Sequence, residues 1–442
     1  MKRAIIIFTR VPIPGQTKTR MMPYLTPGQC ARLHRCFLID IGRECKKCAS
    51  ELFVAYTPKD KKEVLRSLLG EAKYFSQQGL GLGDRMLHAI QYVLGKGFDS
   101  CVLVGADVPE LTSKCLEEAF SVLEKKEVVF GKTVDGGYYL VGMKRPVKEV
   151  FSIASYGHSR VLEQAVIELE KKGITSGYTR TLWDMDDRSD LRGYRDRMRR
   201  DKRLQQSTTG KYLMRTSKIS IIVPIYNEEK TIERLQNQLW PLRGRCEILF
   251  VDGGSTDRTL ERLSSEFRVL HSEKGRANQM NLGAKESTGD ILFFLHCDSE
   301  LPDRILEQIR YVMKDYRVGC FGIAFHSKNF FMFTCRVLSN HRVKDRRVMF
   351  GDQGIFVDRE LFFEVGMFPA LPIMEDYQFS LTLKERGERP GIAKKRIYTS
   401  DRRFPEGTMS KLRVMWKMNR LRKMYRDGVD IEKISCMYHD IR

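Results

Sequence analysis

The chain has 442 residues, of which 42% are hydrophobic and 30% charged, a length that predicts two or three globular domains with sizeable cores. No stretch approaches the ~18 apolar residues of a membrane-spanning helix, and the apolar run near the N-terminus is too short for a secretory signal. The net charge of +21 suits polyanions, anionic membrane surfaces or phosphorylated substrates. Nucleic acid is an unexpected partner, because no basic motif is interleaved with aromatic residues. The eleven scattered cysteines favour reduced thiols in a cytoplasmic protein.

The first predicted strand, residues 4–8, runs into a loop whose prolines and glycine exclude a helix. Backbone N–H groups and cationic side chains in such a loop can both face an anion, so this loop is a candidate phosphate site. The GxxxxGK[ST] spacing of a P-loop is missing, and a basic surface loop is the alternative. The candidate cations are Arg10, Lys18 and Arg20.

Acidic residues follow later strands of the first half. Asp107 ends an apolar strand, and Asp135 begins an Asp-Gly-Gly turn that permits a close backbone approach. Asp184 and Asp186 alternate, so on a strand they would share one face and could complete a metal site with Asp107. A solvated acidic turn is the alternative.

Four segments of the first half carry a family resemblance: FTRVPIPGQTKTR, GADVPELT, DGGYYLVG and DMDDRSDL, in that order. They resemble an uncharacterised glycosyltransferase-A-like (GT-A-like) family related to nucleotidyltransferases of the molybdenum-cofactor guanylyltransferase type, over roughly residues 1–195. The resemblance implies a nucleotide-binding α/β domain in which Lys18 and Arg20 contact phosphates and Asp107 and Asp186 hold a metal. The stretch SIASYGHS departs from the family pattern on the acceptor side.

A basic helix followed by a polar stretch separates the two halves of the chain. The sequence predicts a first domain at residues 1–205, a linker at 206–217 and a second domain at 218–442. In the second half, residues 219–223 form a buried strand, and Asp257 is placed to cap a helix that follows the next strand.

The most apolar strand of the second half, residues 291–295, ends at His296-Cys297-Asp298. Ligands of open α/β sheets lie at the carboxyl ends of the strands, so Asp298 is placed to hold a divalent cation that carries a nucleotide diphosphate. An acidic turn is the alternative. The first half repeats the pattern at Asp107, and Asp135-Gly136-Gly137 has a counterpart in Asp352-Gln353-Gly354.

The segments VPIYNEE, VDGGSTD, GRANQMNLGA, HCDSE, FGDQGIFV and PIMEDYQFSLTLKERG resemble the inverting family 2 glycosyltransferases of GT-A fold, in particular an arsenosugar-biosynthesis-type subgroup. The resemblance spans about residues 218–430 and implies a nucleotide-sugar donor. It assigns base recognition to Asp257, the nucleoside edge to Glu228, the metal to Asp298 and the catalytic base to Asp376. His296 replaces the first acid of the DxD metal motif and could supply a nitrogen that suits Mn²⁺ better than Mg²⁺. The donor-binding set comprises Pro224, Tyr226, Glu228, Asp257, Lys274, Arg276, Gln353, Arg402 and Arg403.

The chemistry independently favours an acid at Glu375-Asp376. Inverting transfer is a single displacement that needs a base opposite the leaving diphosphate and cations for the charge that develops there. The pair precedes a predicted helix, so simple N-terminal helix acids are the alternative. Arg402 and Arg403 are placed to close over the diphosphate.

The C-terminal segment from Lys411 to Val429 tracks an amphipathic helix dense in lysine and arginine. It predicts either peripheral contact with anionic lipid or a packing helix with a solvated basic face.

The predicted fold class is therefore α/β, with two GT-A-like, mostly parallel nucleotide-binding domains in tandem. The leading hypothesis is a cytoplasmic bifunctional enzyme, and an enzyme attached peripherally to the membrane is an alternative. Its second domain would transfer a sugar from a nucleotide-sugar to a hydroxyl with Mg²⁺ or Mn²⁺, and its first would make or bind an activated donor. The alternatives are a first domain that only binds substrate, and a lipid-linked acceptor. The sequence leaves the oligomeric state open.

Overall fold

The computed structural model describes residues 1–153, 155–326, 330–399 and 408–439. The chain divides into two compact units, Met1–Leu213 and Met214–Arg442. Each unit contains one seven-stranded, mostly parallel sheet with helices between the strands. The predicted fold class is thereby confirmed.

The first unit alternates strands and helices along the chain. Its strands are β1 (Arg3–Arg10), β2 (Glu51–Thr57), β3 (Lys73–Ser76), β4 (Ser100–Gly105), β5 (Val128–Thr133), β6 (Tyr138–Met143) and β7 (Ser176–Leu182). Its helices are α1 (Pro27–Cys45), α2 (Lys62–Leu69), α3 (Leu82–Leu94), α4 (Ser113–Lys125), α5 (Val161–Glu170), α6 (Arg188–Arg200) and α7 (Lys202–Gln206), and α8 (Thr208–Thr216) crosses the division between the units.

The second unit follows the same plan. Its strands are β8 (Ile219–Ile225), β9 (Glu247–Asp252), β10 (Arg268–His271), β11 (Ile291–Phe294), β12 (Val318–Ala324), β13 (Ile355–Asp358) and β14 (Gly391–Tyr398). Its helices are α9 (Ile232–Leu239), α10 (Thr259–Arg262), α11 (Arg276–Glu286), α12 (Ile305–Met313), α13 (Phe330–Arg346), α14 (Arg359–Glu364), α15 (Glu375–Glu385), α16 (Thr408–Arg426) and α17 (Ile431–His439).

The two sheets have one topology. The strand order is β3-β2-β1-β4-β6-β5-β7 in the first and β10-β9-β8-β11-β13-β12-β14 in the second. The fifth strand in each order, β6 in the first sheet and β13 in the second, runs antiparallel to both of its neighbours. The repeated pattern of an apolar strand followed by an aspartate therefore falls at equivalent positions of the two sheets, because Asp107 follows β4 and Asp298 follows β11.

The strand β11 is buried on both faces, as its unbroken apolar run predicts. Phe293 packs in one cluster with Ile221, whereas Phe294 packs in another with Ile222, on alternate sides of the sheet. Each fully buried side chain of this size contributes about 1.5–3 kcal/mol. This packing fixes the end of β11, and with it the position of Asp298.

The segment with Asp184 and Asp186 is a loop, so the two aspartates do not share the face of a strand, the arrangement considered for a metal site. The strand β7 ends at Leu182, and Asp187 then caps α6 by accepting hydrogen bonds from Ser189 and Asp190 N–H groups. Between these points Met185 N donates to the carbonyl of Asp107 at 3.0 Å, which draws the chain toward the end of β4. The two aspartates reach the Asp107 region through a loop.

The segment expected as a linker, residues 206–217, is mostly helical. The N–H groups of Thr208 and Thr209 at the start of α8 donate to the two carboxylate oxygens of Asp40, each at 2.8 Å. Asp40 is 6% exposed and lies on α1, so the first turn of α8 is attached to the first unit. The polar composition suggested a linker because the carboxylate that binds the start of this helix lies far away in the sequence.

None of the helices in the described part of the chain is both long enough and apolar enough to span a bilayer.

Candidate functional site

The Glu375-Asp376 pair begins helix α15, as the sequence predicts. Met374 precedes the helix in the left-handed region at φ 68°. The carboxylate of Asp376 is half-buried and its Oδ2 accepts a hydrogen bond from Gly351 N at 2.7 Å. This bond and the one that Oδ1 accepts from Tyr377 N at 2.7 Å orient Asp376, whose side chain is still partly exposed.

Glu375, in contrast, is 3% exposed and forms an ion pair with Arg276 at 3.2 Å. Burial raises the pKa of Glu375, and the neighbouring Asp376 raises it further, whereas Arg276 acts in the opposite direction. Glu375 is therefore buried and paired, whereas Asp376 is the more exposed of the two acids.

Gly351 brings the end of β11 against Asp376. A Cβ atom at Gly351 would lie 2.5 Å from Nε2 of His296 and 3.5 Å from Oδ2 of Asp376. Only glycine permits this approach. His296, which replaces the first acid of the metal motif, therefore lies beside the backbone that holds the candidate base.

Arg276 connects the donor side of the site to the base. It is the first residue of α11 and follows Gly275, whose φ is 139°. Burial would lower the pKa of Arg276, but Glu375, Asp376 and Asp298 together raise it. A predicted donor-binding cation, the candidate metal ligand and the candidate base are therefore neighbours.

The donor set near Asp298 fits a magnesium-type ion only together with substrate. Within the described ranges, no group of three or more His, Cys, Asp or Glu side chains could hold a metal. Such ions are commonly bound by one or two carboxylates, with phosphate and water oxygens completing the shell. Asp298, with His296 two residues before it, matches that requirement.

The predicted nucleoside edge lies at the carboxyl ends of β8 and β9. Asp257 accepts hydrogen bonds from Thr259 N at 3.0 Å and Glu229 N at 3.2 Å. Burial opposes ionisation, but these bonds and that of the Thr259 hydroxyl hold the pKa of Asp257 below its usual value. The carboxylate of Glu228 accepts from the hydroxyl of Thr231. Asp257 thus connects the loop after β8 with the start of α10, but it is not the N-cap residue of α10, a position that Arg258 occupies.

The remaining predicted donor residues are spread around this edge. Pro224 lies within β8, and Tyr226 follows it with 37% of its surface exposed. Lys274 donates to the hydroxyl of Tyr226 at 3.1 Å. Gln353 is 1% exposed, and its Nε2 has no hydrogen-bond partner among the described residues. Arg402 and Arg403 lie outside the described residues.

In the first unit, Lys18 lies between the two predicted metal ligands. Its ammonium is 2.5 Å from Asp107 Oδ1 and 2.8 Å from Asp186 Oδ1, and it also donates to Met185 O at 2.7 Å. Burial would lower the pKa of Lys18, but the two carboxylates raise it. A phosphate or a divalent cation entering here would have to compete with these ion pairs.

The other predicted residues of this site surround Lys18. Burial opposes ionisation of Asp107, but Lys18 lowers its pKa and Arg10, at the end of β1, adds a smaller effect in the same direction. Arg20 lies 3.7 Å from Asp186. Asp135 accepts hydrogen bonds from Thr133 and Gly137 within the β5–β6 turn. Burial, with Asp135 and Asp186 nearby, raises the pKa of Asp184 to about 6.

Sequence reasoning missed several side chains near the two sites. His34 is 3% exposed and interacts electrostatically with Asp107 and Lys18. Burial lowers the pKa of His34 to about 4. In the second unit, Tyr377, Arg342 and Arg422 lie around the candidate base. A glycine in FGDQG could have signalled the close approach at Gly351, whereas Arg342 and Arg422 are 80 positions apart and share no local pattern.

The basic helix α16 packs through one face. Leu421 is 1% exposed, Tyr425 donates to Gln378 Oε1 at 2.8 Å, and Arg426 donates to the hydroxyl of Tyr377 at 2.9 Å. These contacts support the packing interpretation. Membrane contact stays a prediction for the opposite face, where Trp416 is 63% exposed.

Each half of the chain matches one family model. Residues 43–158 match the family described as an uncharacterised protein conserved in bacteria (DUF2064). Residues 220–368 match glycosyl transferase family 2. These matches confirm the predicted pairing, and the arsenosugar-type subgroup stays a prediction.

Among curated proteins, the chain is 33% identical over 109 residues to a dolichol-phosphate mannosyltransferase of Pyrococcus furiosus, covering 22% of this chain and 30% of that protein. It is 25% identical over 183 residues to an uncharacterised glycosyltransferase of Haemophilus influenzae, covering 37% and 61% respectively. The chain thus spans less than two thirds of the length of these relatives.

Among solved structures, the chain is similar to a putative nucleotide-diphospho-sugar transferase from Desulfovibrio desulfuricans G20. The identity is 28% and the TM-score 0.46, over 48% of this chain and 94% of that one. The chain thus contains one segment that matches the DUF2064 model and one that matches the glycosyl transferase family 2 model.

Proposed function

We propose that the second unit transfers a sugar from a nucleotide-sugar to a hydroxyl acceptor with inversion at the anomeric carbon. The family 2 match supports glycosyl transfer. The observation that carries the mechanism is the half-buried Asp376 at the start of α15, held by Gly351 N at 2.7 Å and electrostatically linked to Arg276. A base and a donor-side cation are thus close together.

The reaction is a single displacement. The acceptor hydroxyl oxygen forms a bond to the anomeric carbon as the bond from that carbon to the diphosphate oxygen breaks. The hydroxyl proton passes to Asp376, which acts as general base. Arg276 and Lys274 are the cations proposed to stabilise the charge that develops on the diphosphate. A Mg²⁺ or Mn²⁺ ion held by Asp298 would supply further charge neutralisation there.

For the first unit we propose the handling of a nucleotide or nucleotide-sugar at Lys18, Asp107 and Asp186. The helix before the last strand differs between the units, because α5 begins with Val161-Leu162 whereas α15 begins with Glu375-Asp376. This difference favours nucleotide binding or nucleotidyl transfer over a second sugar transfer. A non-catalytic binding module is the alternative. Calorimetric titration with nucleotides plus a turnover assay separates the two.

The test of sugar transfer is a panel of nucleotide-sugars, screened by thermal shift and then by turnover with hydroxyl acceptors. The expected result is one preferred donor and a product of inverted anomeric configuration by NMR. Activity should be lost in EDTA and in Asp298→Ala, with Asp303→Ala as an exposed control on the following loop. Retained configuration would overturn the displacement mechanism, and full activity of Asp298→Ala would overturn its metal role.

A further inference from the structure

Two arginines of the second unit lie against one aromatic ring beside the candidate base. The guanidinium carbon of Arg342, on α13, is 4.1 Å from the centroid of the Phe350 ring, and that of Arg422, on α16, is 5.2 Å from the same centroid. Phe350 immediately precedes Gly351, whose N–H holds Asp376. We call Arg342 and Arg422 the arginine pair.

The arginine pair makes few hydrogen bonds to the described residues of the protein. Arg342 Nε is buried and has no hydrogen-bond partner among the described residues. The hydrogen bond that Arg422 makes goes to a backbone oxygen, Met418 O at 3.2 Å. Both guanidinium groups are half-buried, and cations in such places are normally paired with carboxylates.

The two charges also repel each other. Burial lowers the pKa of Arg342 to about 10, and Arg422 adds to that decrease. Burial likewise lowers the pKa of Arg422, while Tyr377, Asp352 and Asp376 act in the opposite direction on it. The two aspartates also act in that direction on Arg342. An arrangement that is unfavourable for stability but adjacent to a candidate base is typical of a binding site.

The location indicates which substrate the arginine pair would meet. The donor residues lie at the carboxyl ends of β8 and β9, whereas the arginine pair belongs to α13 and α16, around Phe350 and Tyr377. In an inverting displacement the base lies on the acceptor side, opposite the leaving diphosphate. A planar guanidinium binds phosphate through two parallel hydrogen bonds.

We propose that Arg342 and Arg422 form an acceptor subsite that binds a phosphate group carried by the hydroxyl acceptor. The inference rests on the proposed sugar transfer for its acceptor role, but the binding of phosphate does not require turnover. The phosphate anchors the acceptor, and Asp376 receives the proton from a hydroxyl elsewhere on the same molecule.

The first test measures binding without turnover. Inorganic phosphate is titrated against the full-length chain in a thermal-shift assay, with sodium chloride at matched ionic strength as reference. The compared variants are Arg342→Gln, Arg422→Gln, the double variant, and Arg420→Gln as an exposed control on α16. Phosphate should raise the melting temperature of the wild type and of Arg420→Gln more than that of the double variant. Equal shifts in all proteins would overturn the subsite.

Stability without phosphate gives an independent readout. Neutralising two half-buried cations that repel each other should leave the double variant at least as stable as the wild type in the absence of phosphate. If the glutamine variants do not fold, the Arg342→Lys/Arg422→Lys variant keeps the charges but removes the bidentate geometry. It should retain part of the phosphate-induced shift, and a complete loss of that shift with an intact fold would contradict a charge-based subsite.

The second test uses turnover. Soluble hydroxyl acceptors are compared with their own phosphate esters. In a separate arm, phosphatidylglycerol vesicles are offered as acceptor, so that a soluble phosphate ester is distinguished from a lipid headgroup. The double variant should raise the KM for the phosphorylated acceptor by about tenfold or more while the donor KM changes little. A rise in the donor KM alone would place the arginine pair at the donor. Absence of turnover with every acceptor would count against the proposed function, while the phosphate titration still decides the subsite.

Discussion

At the scale of single residues, Asp376 and Glu375 are adjacent in sequence but differ in environment. Glu375 is buried and paired with Arg276, whereas Asp376 is half-buried and held by a backbone N–H group. The sequence placed both acids at a helix N-terminus, but it could not separate their roles. That separation depends on Arg276 and Gly351, which are distant in the sequence.

Asp376→Asn should therefore reduce transfer by about 10²- to 10⁴-fold, because the amide keeps the shape but cannot accept the proton. Donor affinity should change little. The measurement is a donor titration together with the transfer rate at saturating donor.

Asp257→Asn is the matched comparison, since Asp257 lies at the predicted nucleoside edge and should affect donor binding more than the saturated rate. If Asp376→Asn transfers at the wild-type rate, the base is another acid. If donor binding falls in proportion to the rate, Asp376 belongs to the donor site.

Asp184 gives a prediction about pH. Burial and the nearby Asp135 and Asp186 raise its pKa to about 6, from an ordinary value of 3.8. A raised pKa in the folded state means that ionisation opposes folding. The destabilisation is absent below about pH 4 and develops as the pH rises through 6.

Asp184→Asn should therefore stabilise the first unit at pH 8, by on the order of 1–2 kcal/mol, and have little effect at pH 4. The measurement is denaturant unfolding at both pH values, with Asp60→Asn, an exposed aspartate, as control. An equal effect of Asp184→Asn at the two pH values would contradict the raised pKa.

At the scale of elements, hydrophobic periodicity and the residues that end helices and strands predicted the elements that are determined by local sequence. Strands with continuous apolar runs, such as β1 and β11, are buried as expected, and α15 begins at the predicted acids. The segment at Asp184 shows where prediction from local sequence fails. The alternation of Asp184 and Asp186 suggested the face of a strand, but the long-range hydrogen bond from Met185 N to Asp107 O holds this segment as a loop.

The same limit applies to charges. The sequence assigned Lys18 to phosphate and Asp107 and Asp186 to metal. In the structure Lys18 forms ion pairs with both aspartates, of which Asp186 lies 168 positions away in the sequence. The arginine pair had no signal either, because Arg342 and Arg422 come together only when α16 packs against α15.

Helix α8 gives an element-scale prediction. Its first two N–H groups are bound by Asp40, in the manner of an N-terminal cap supplied from another helix. Asp40→Asn keeps the size but loses the charge and one acceptor oxygen, so the first unit should lose about 1–2 kcal/mol of stability. Unfolding of the variant is compared with that of Asp60→Asn. No loss relative to the control would show that α8 is held by its apolar contacts instead.

At the scale of the whole molecule, one topology occurs twice with different residues in equivalent places. Asp107 and Asp298 follow the corresponding strands β4 and β11, and Asp135 and Asp352 precede β6 and β13. The helices before the last strands differ, with Glu375-Asp376 in one and Val161-Leu162 in the other. Duplication of the topology with divergence of this helix would explain how one chain pairs nucleotide handling with sugar transfer.

The two units should also fold separately. Each contains its own seven-stranded sheet, and the compact units meet in sequence at Leu213 and Met214, within α8. A cut at residue 205, the boundary that the sequence suggested, removes the helix that Asp40 holds.

We therefore expect residues 1–216 to give a folded fragment that is more stable than residues 1–205, and residues 217–442 to give a second folded fragment. The measurement is circular dichroism and cooperative unfolding of all three fragments beside the full-length chain. Equal stability of 1–205 and 1–216 would assign α8 no role in the first unit. If 1–216 and 217–442 are both unfolded while the full-length chain is stable, the two sheets depend on each other and the division into independent domains is wrong.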